Sequence, residues 1–326
     1  MIMITSKHLN RKSTPAPLPS IAEDVLEGFS RTPKSLPPKL LYDAAGSALF
    51  EQITCLPEYY PTRTEAGILT LHAEEICSHL RRNVSVSELG AGTATKTRIL
   101  LRSLVQRQFG VNYFPLDVSD AALKLAKDEV ESELSRVKVH PLVGDFDDLT
   151  FLEHQIPPRL VLYIGSSIGN LENDEAIALL QNIAQNLATG DKLLLGADLV
   201  KDTSVMRAAY DDQAGVTALF NKNLLVRINR ELSGHFDPES FCHISFWNET
   251  ESRIELHLES TCRQLVRIDA LDMTLQFDQG ERIHTENSYK YTIEHLKNLL
   301  RHGGFQVEHT WTDPDSWFAV SLGVIT

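Results

Sequence analysis

The sequence predicts an α/β fold: a mostly parallel, doubly wound sheet ending in an antiparallel hairpin, with a smaller α+β part set into the chain. Three observations predict it. Strand-like and helix-like segments alternate between residues 84 and 197. A glycine turn, Gly90-Ala-Gly92-Thr93-Ala94-Thr95, follows the first strand and opens a helix. After Asp198 the rhythm breaks, and it resumes only near residue 289.

The elements follow in order. Val84 to Leu89 is a short strand, and Thr95 to Gln108 reads as the helix behind the glycine turn. Tyr113 to Val118 is a second strand, in which Pro115 must stand where the ladder needs no N–H. Ser119 is a good N-cap for a helix reaching Ser135. Val137 to Val143 is a third strand. Arg159 to Ile164 is a fourth, its continuous apolar run fitting burial on both faces. Asn173 is expected to cap the next helix, where Ile177, Leu180, Ile183, Ala184 and Leu187 recur on one face and Gly190 marks the exit. Lys192 to Ala197 is a fifth strand. Between 200 and 288, a helical stretch (Val205 to Asn229) precedes alternating pieces such as Arg253-Ile-Glu-Leu-His-Leu258, where His257 reads as a surface residue rather than a ligand. Tyr291 to His302 is an amphipathic helix closed by Gly303-Gly304. Phe305 to Trp311 and Trp317 to Val324 form the terminal hairpin.

Composition bounds the function. The chain has 326 residues, 42% hydrophobic and 23% charged, enough for a sizeable core. Its formal net charge of -13 argues against a nucleic-acid partner, because phosphate binding needs clustered Lys and Arg. The four cysteines are scattered, with no C-x-x-C spacing, so a reducing compartment is expected and a zinc site is not. No apolar run approaches the length of a membrane span, and the first residues carry no signal-peptide core. A cytoplasmic, monomeric enzyme acting on a small molecule, without a metal, is the expectation. Residues 1 to about 20 are polar and are expected to be loose.

The chemistry is carried by loops after the strands. Gly90 and Gly92 allow a tight turn and close approach of a ligand to the backbone. A dinucleotide fingerprint would put a third glycine at 95, where Thr95 stands. S-adenosylmethionine (AdoMet) carries no pyrophosphate, so it suits this loop better. Asp117, at the end of the second strand, is placed to accept ribose hydroxyls. Asp145 follows the third strand and could take a hydrogen bond from an adenine amino group, with Phe146 flanking the ring. Gly165-Ser-Ser-Ile-Gly-Asn170 follows the fourth strand, where a polar Asn can orient a substrate or simply cap the next turn. There is no Walker A, H-E-x-x-H or G-x-S-x-G pattern.

Longer stretches resemble a known family. Tyr42-Asp-Ala-Ala-Gly-Ser47, Leu56-Pro-Glu-Tyr-Tyr-Pro-Thr-Arg63, Gly165 to Asn170, Asp198-Leu-Val-Lys-Asp202, Tyr210 to Thr217 and Thr285-Glu-Asn-Ser-Tyr-Lys290 are similar to the histidine-specific Nα-methyltransferases of ergothioneine biosynthesis. That resemblance implies a Rossmann-like class I AdoMet methyltransferase sheet plus a smaller α+β substrate-binding domain. Residues 1–62 with 200–288 would form the substrate-binding domain. Residues 63–199 with 289–326 would form the AdoMet domain.

The resemblance also implies roles. Tyr42, Gly90, Lys96, Asp117 and Asp145 would hold AdoMet beside Phe146, with Gly92 completing the loop. Asn170 and Tyr210 would hold the substrate carboxylate, and Tyr59 and Gly165 would position the α-amine. Tyr59, Asn170 and Tyr210 are thus the candidates for catalysis. Glu286 and Ser288 would hydrogen-bond the imidazole. Their i, i+2 spacing puts them on one face of a strand, and neutral imidazole has one donor and one acceptor nitrogen to match them. Leu256 stands where a methionine is expected near the imidazole, a change of similar volume. The implied reaction is three successive methyl transfers to the α-amine of L-histidine. The same chemistry on tryptophan, tyrosine or an indole derivative, a nicotinamide oxidoreductase, and a non-catalytic AdoMet-binding protein are the alternatives.

Overall fold

The computed structural model describes residues 21–146 and 148–326. The expectation of a loose segment over residues 1 to 20 lies outside them. In chain order, α1 (Ile21–Ser30), the short strand β1 (Lys34–Ser35), α2 (Ala44–Thr54) and α3 (Tyr60–Ser78) come first. Then follow β2 (Ser85–Leu89), α4 (Thr97–Arg107), β3 (Val111–Asp117), α5 (Asp120–Glu133), β4 (Val137–Val139), β5 (Leu142–Val143), β6 (Arg159–Tyr163), α6 (Asn173–Gln185) and β7 (Lys192–Asp198). Next are α7 (Thr203–Tyr210), α8 (Val216–Leu232), β8 (Phe241–Asn248), β9 (Arg253–Ser260), β10 (Gln264–Ile268), β11 (Met273–Phe277) and β12 (Arg282–Tyr289). The chain closes with α9 (Ile293–His302), β13 (Gln306–Thr312) and β14 (Phe318–Val324).

The large sheet has the order β13-β14-β7-β6-β2-β3-β4, with β5 also pairing β3. Strands β7 through β4 are parallel. Strand β14 is antiparallel to both β13 and β7. The reversed strand therefore sits inside the sheet, between its hairpin partner and the parallel strands. One face is covered by α3, α4 and α5, the other by α6 and α9. The strand order turns back at β2, which pairs β3 on one side and β6 on the other, so the carboxyl ends of β2, β3 and β6 flank the crevice where such sheets bind ligands.

A second, four-stranded sheet has the order β1-β12-β9-β8. Its core is drawn from residues 25–60 and 206–283, packed under α1, α2, α7 and α8. Strand β12 carries a register shift between His284 and Glu286, with Thr285 as the extra residue; its hydroxyl donates to the Leu256 carbonyl at 3.0 Å. A bulge of this kind re-aims the side chains beyond it.

Several local expectations change. The third strand splits in two at His140-Pro141. Pro115 lies in the gap between the β4 and β5 pairings of β3, which is how a proline is tolerated there. Ser119 does cap α5, accepting from the Ala122 N–H. The cap of α6 is Glu172, not Asn173: Glu175 reaches back to the Glu172 N–H at 3.0 Å, forming a capping box. The helical stretch from 205 breaks into α7 and α8, because Gly215 takes a left-handed φ of 74° and Asp212 accepts from the Val216 and Thr217 N–H groups. His257 is no surface residue: its ring stacks on Phe246 at 5.3 Å, and burial pushes it down to about 4. Among the described residues no helix is long and apolar enough to cross a membrane.

One buried ion pair ties the sheet to its loops. Arg159 donates from its backbone N (2.8 Å) and its Nε (2.6 Å) to Asp191, and from Nη1 to the Asn186 carbonyl at 3.1 Å. Asp191→Asn would leave a buried guanidinium without its counter-charge. A loss of about 3 kcal/mol in urea unfolding is expected; an unchanged midpoint would show that the pair is not structural.

Candidate active site

The glycine loop is fixed from below by the next strand. Gly90 and Gly92 take positive φ angles of 70° and 51°. The Gly90 and Ala91 N–H groups donate to the Leu116 carbonyl at 2.9 and 3.1 Å. Asp117 then clamps the turn: Oδ2 accepts from the Gly92 N–H and Oδ1 from the Ser119 N–H, both at 2.8 Å. A carboxylate has lone pairs beyond those two, so Asp117 can still accept from a ligand. The Phe146 ring lies over the loop, 3.6 Å from where a Cβ on Gly90 would stand, and meets Tyr163 edge-on at 5.6 Å. Asp145 is half-buried beside it. Nothing lies within 4 Å of the position a Cβ would take on Gly92, so the loop opens onto free space. Glu88 faces inward instead. It accepts from Thr97 Oγ1 at 2.7 Å and from the Tyr113 hydroxyl, and burial raises its carboxyl to about 7.

A seam joins this loop to a second cavity. Glu65, on α3, is fully buried and accepts the Gly165 N–H with both oxygens at 2.9 Å. The same carboxylate pairs with Lys96, whose Nζ is 3.1 Å from where a Cβ on Gly165 would lie. Lys96 therefore stands between the glycine loop and the cavity.

That cavity lies between the carboxyl end of β6 and the second sheet. Its walls include Tyr42, Tyr59, Gly165, Asn170, Tyr210, Leu256, Glu286 and Ser288, so all seven residues expected to contact substrate meet in one place. Their routes there differ. Tyr59 precedes α3, its carbonyl held by Arg63 Nη1 at 3.0 Å. Asn170 ends the turn after β6, and Tyr210 ends α7. Glu286 pairs directly across from Leu256, just past the bulge. The aromatic side is a chain of edge contacts: Tyr42 to Phe50 at 5.5 Å, Tyr42 to Phe220 at 5.4 Å, and Tyr59 to Tyr210 at 6.0 Å.

The electrostatics are set by burial. It raises the Tyr42, Tyr59 and Tyr210 hydroxyls well above the ordinary phenol value, so all three keep their protons at neutral pH. Burial likewise lifts Glu286 to about 7, against the Asn170 hydrogen bond and the nearby Lys290 charge. Asn170 Nδ2 donates to Glu286 Oε1 and to the Asn287 carbonyl, both at 2.7 Å. Its amide must exchange one of these bonds to hold a ligand's carboxylate.

Five residues around the site escaped sequence reasoning: Tyr60, Glu65, Asp198, Lys201 and Lys290. Tyr60 donates to Asp198 at 2.7 Å, Lys201 sits on Asp198 at 2.6 Å, and Lys290 on Asp198 at 2.8 Å. The signal was the spacing 286, 288, 290, which continues one face of β12. Among the described residues, one group could bind a metal: Glu75, His79 and His309, with ligand atoms within 4.8 Å. It lies about 22 Å along α3 from Tyr60, given the rise per residue of a helix.

A parallel sheet with this order, an inserted reversed strand, a glycine loop clamped by an acid and an adjoining polar pocket define a class I AdoMet-dependent methyltransferase. Over residues 21–324 the sequence matches the family described as histidine-specific methyltransferase, SAM-dependent. It is 44% identical to the histidine N-alpha-methyltransferase of Mycolicibacterium smegmatis, covering 94% of this chain and 95% of that one. It is 44% identical to the Mycobacterium tuberculosis protein of the same name, over 93% and 94%. The ergothioneine biosynthesis protein 1 of Neurospora crassa is 31% identical, over 86% of this chain and 32% of that longer one. The chain belongs to the histidine-specific, SAM-dependent methyltransferase family.

Proposed function

We propose that this enzyme methylates the α-amino nitrogen of L-histidine three times, giving Nα,Nα,Nα-trimethylhistidine (hercynine) for ergothioneine biosynthesis. The observation that carries this is the pairing of Glu286 and Ser288 on one wall of the cavity that Asn170 and Tyr210 also line. A buried carboxylate and a hydroxyl match the two nitrogens of an imidazole. An indole offers one N–H and nothing for the second group.

In this reading residues 1–62 and 200–288 bind the amino acid, and residues 63–199 and 289–326 hold AdoMet. The separate core drawn from residues 25–60 and 206–283 supports that division. The open glycine loop fits AdoMet, with Tyr42, Gly90, Gly92, Lys96 and Asp117 around it and Asp145 and Phe146 on the adenine side. Bound there, AdoMet supplies a methyl group on a positively charged sulfur, already activated for displacement. The protein's task is then to position and desolvate the amine. Tyr59 and Gly165 orient it, while Asn170 and Tyr210 hold the carboxylate and Leu256 packs beside the imidazole.

The raised hydroxyls of Tyr59 and Tyr210 make them donors rather than bases, so the proton that the amine must lose before each of the three transfers leaves to solvent. Their ring faces can stabilise the trimethylammonium product. A cytoplasmic monomer is part of the same reading, and four unpaired cysteines support a reducing compartment.

Incubation with AdoMet and all the common amino acids tests this. Mono-, di- and trimethylated histidine alone is expected by mass. Methylated tryptophan or tyrosine in its place would refute the histidine assignment. For the carboxylate anchor, Asn170→Ala is expected to weaken histidine binding about tenfold in calorimetry. Unchanged affinity would remove Asn170 from the site.

A further inference from the structure

Lys290 lies one residue past β12 and is fully enclosed. An ammonium has three N–H groups, and three partners surround this one: Asp198 Oδ2 at 2.8 Å, the Tyr210 hydroxyl at 2.9 Å and Ser288 Oγ at 2.8 Å. On the far side of Asp198, Lys201 Nζ holds Oδ1 at 2.6 Å and also reaches the Tyr60 hydroxyl at 2.7 Å. Burial lowers Lys201 only to about 8, which leaves it charged at neutral pH. Two enclosed ammonium groups thus contact one carboxylate directly, while Asp313 acts on Lys201 and Glu286 faces the Lys290 charge from farther away.

The hydroxyl protons beside Lys290 can be placed. Tyr210 and Ser288 each accept a hydrogen bond from Lys290, and their oxygens are 2.7 Å apart. Two hydroxyls carry two protons. One proton is used between them, whichever donates. The other has no acceptor within this group, and both residues line the cavity; a bound amino acid that takes both protons, its carboxylate from Tyr210 and its imidazole from Ser288, still leaves each oxygen accepting from Lys290. This wall therefore presents a free O–H backed by a buried positive charge. Glu286 lines the same cavity as an acceptor.

We infer that Lys290 is a positioning residue that makes the Tyr210–Ser288 wall a donor pole, and that this pole takes the free carboxylate of the bound amino acid. This deepens the functional reading above and rests on it. The consequence is selectivity for an amino acid over ligands with the same imidazole and α-amine but no anion.

The test compares L-histidine with L-histidinamide in the full-length enzyme with AdoMet. The wild type is expected to prefer histidine. In Lys290→Met, kcat/KM for histidine is expected to fall about 10- to 100-fold, mainly through KM, as for a lost charge-assisted hydrogen bond. Activity on histidinamide should change by only about threefold on the same grounds, so the preference collapses. An equal fall for both substrates would mark Lys290 as merely structural and overturn the inference. Lys290→Gln, which keeps an N–H donor without the charge, covers the case in which the methionine variant does not fold. It too should lose the preference. If neither variant binds AdoMet, the residue belongs to the fold and the inference falls. A wild type that methylates no histidine would instead overturn the functional reading beneath it.

Discussion

Glu286→Gln is expected to lower kcat/KM for histidine about 100-fold while leaving AdoMet affinity unchanged, because a charge-assisted hydrogen bond becomes a neutral one at best. The amide also brings a donor to a position already met by the Asn170 N–H. If its oxygen stays on Asn170, its nitrogen faces the imidazole and the pairing requires the other tautomer. Burial places the Glu286 carboxyl at about 7 in the free protein, so wild-type binding should weaken as pH falls through that value. The imidazole of free histidine titrates in the same region, but equally for both proteins. The difference between wild type and variant, measured by calorimetry from pH 6 to 9, isolates the glutamate. Histidine affinity within about twofold of wild type, less than any ordinary hydrogen-bond loss, would sink the imidazole assignment.

The same shift fixes the sign of a stability effect. A carboxyl whose folded value is raised stabilises the protein fully below its unfolded value, and that stability is lost as pH rises through the folded value. Here the window runs from the ordinary glutamate value up to about 7. The glutamine variant lacks this penalty. Without ligand it should melt above wild type at pH 8 and converge with it near pH 5. A site variant that is more stable and less active is the expected signature of a residue held ionised for its ligand.

Sequence patterning reached the large sheet, since a period of two against 3.6 is set by which residues face the core. Glu286 and Ser288 came from the family resemblance rather than from patterning; their local alternation only placed them on one face, and they do line one cavity. What patterning missed depends on distant chain segments. The bulge at Thr285 involves a bond to Leu256 on another strand, and it aims Glu286. Lys290 looks like a surface lysine until Asp198, 92 positions earlier, closes over it. The capping of α6 by Glu172 was legible in principle: the Glu172–Glu175 pair has capping-box spacing, but Asn173 is the better cap by type. The break between α7 and α8 was legible too, in Gly215 after Asp212, and was overridden by the apolar period on either side.

Gly196→Ala is expected to be severely damaging although it adds a single methyl. Gly196 sits within the fully buried β7, and a Cβ there would lie 1.9 Å from Glu65 Oε1, 3.1 Å from its Cδ and 3.3 Å from the Ile164 Cα. The backbone of Ile164 cannot give way, so the Glu65 carboxylate must leave. Its departure strips the Gly165 N–H and Lys96 of their partner at the seam between the glycine loop and the cavity. Leaving a buried charge unpaired costs about 3–5 kcal/mol. Misplacing Gly165 by about 1 Å should lower kcat/KM about 100-fold. Glu65→Ala removes the carboxylate outright and should cause similar losses. The two contact each other, so their costs should not add. Gly196→Ala introduced into Glu65→Ala has no carboxylate left to displace, and the double variant should be no worse than Glu65→Ala alone. Additive losses in unfolding and in kcat/KM would show that Gly196 serves the sheet rather than the seam.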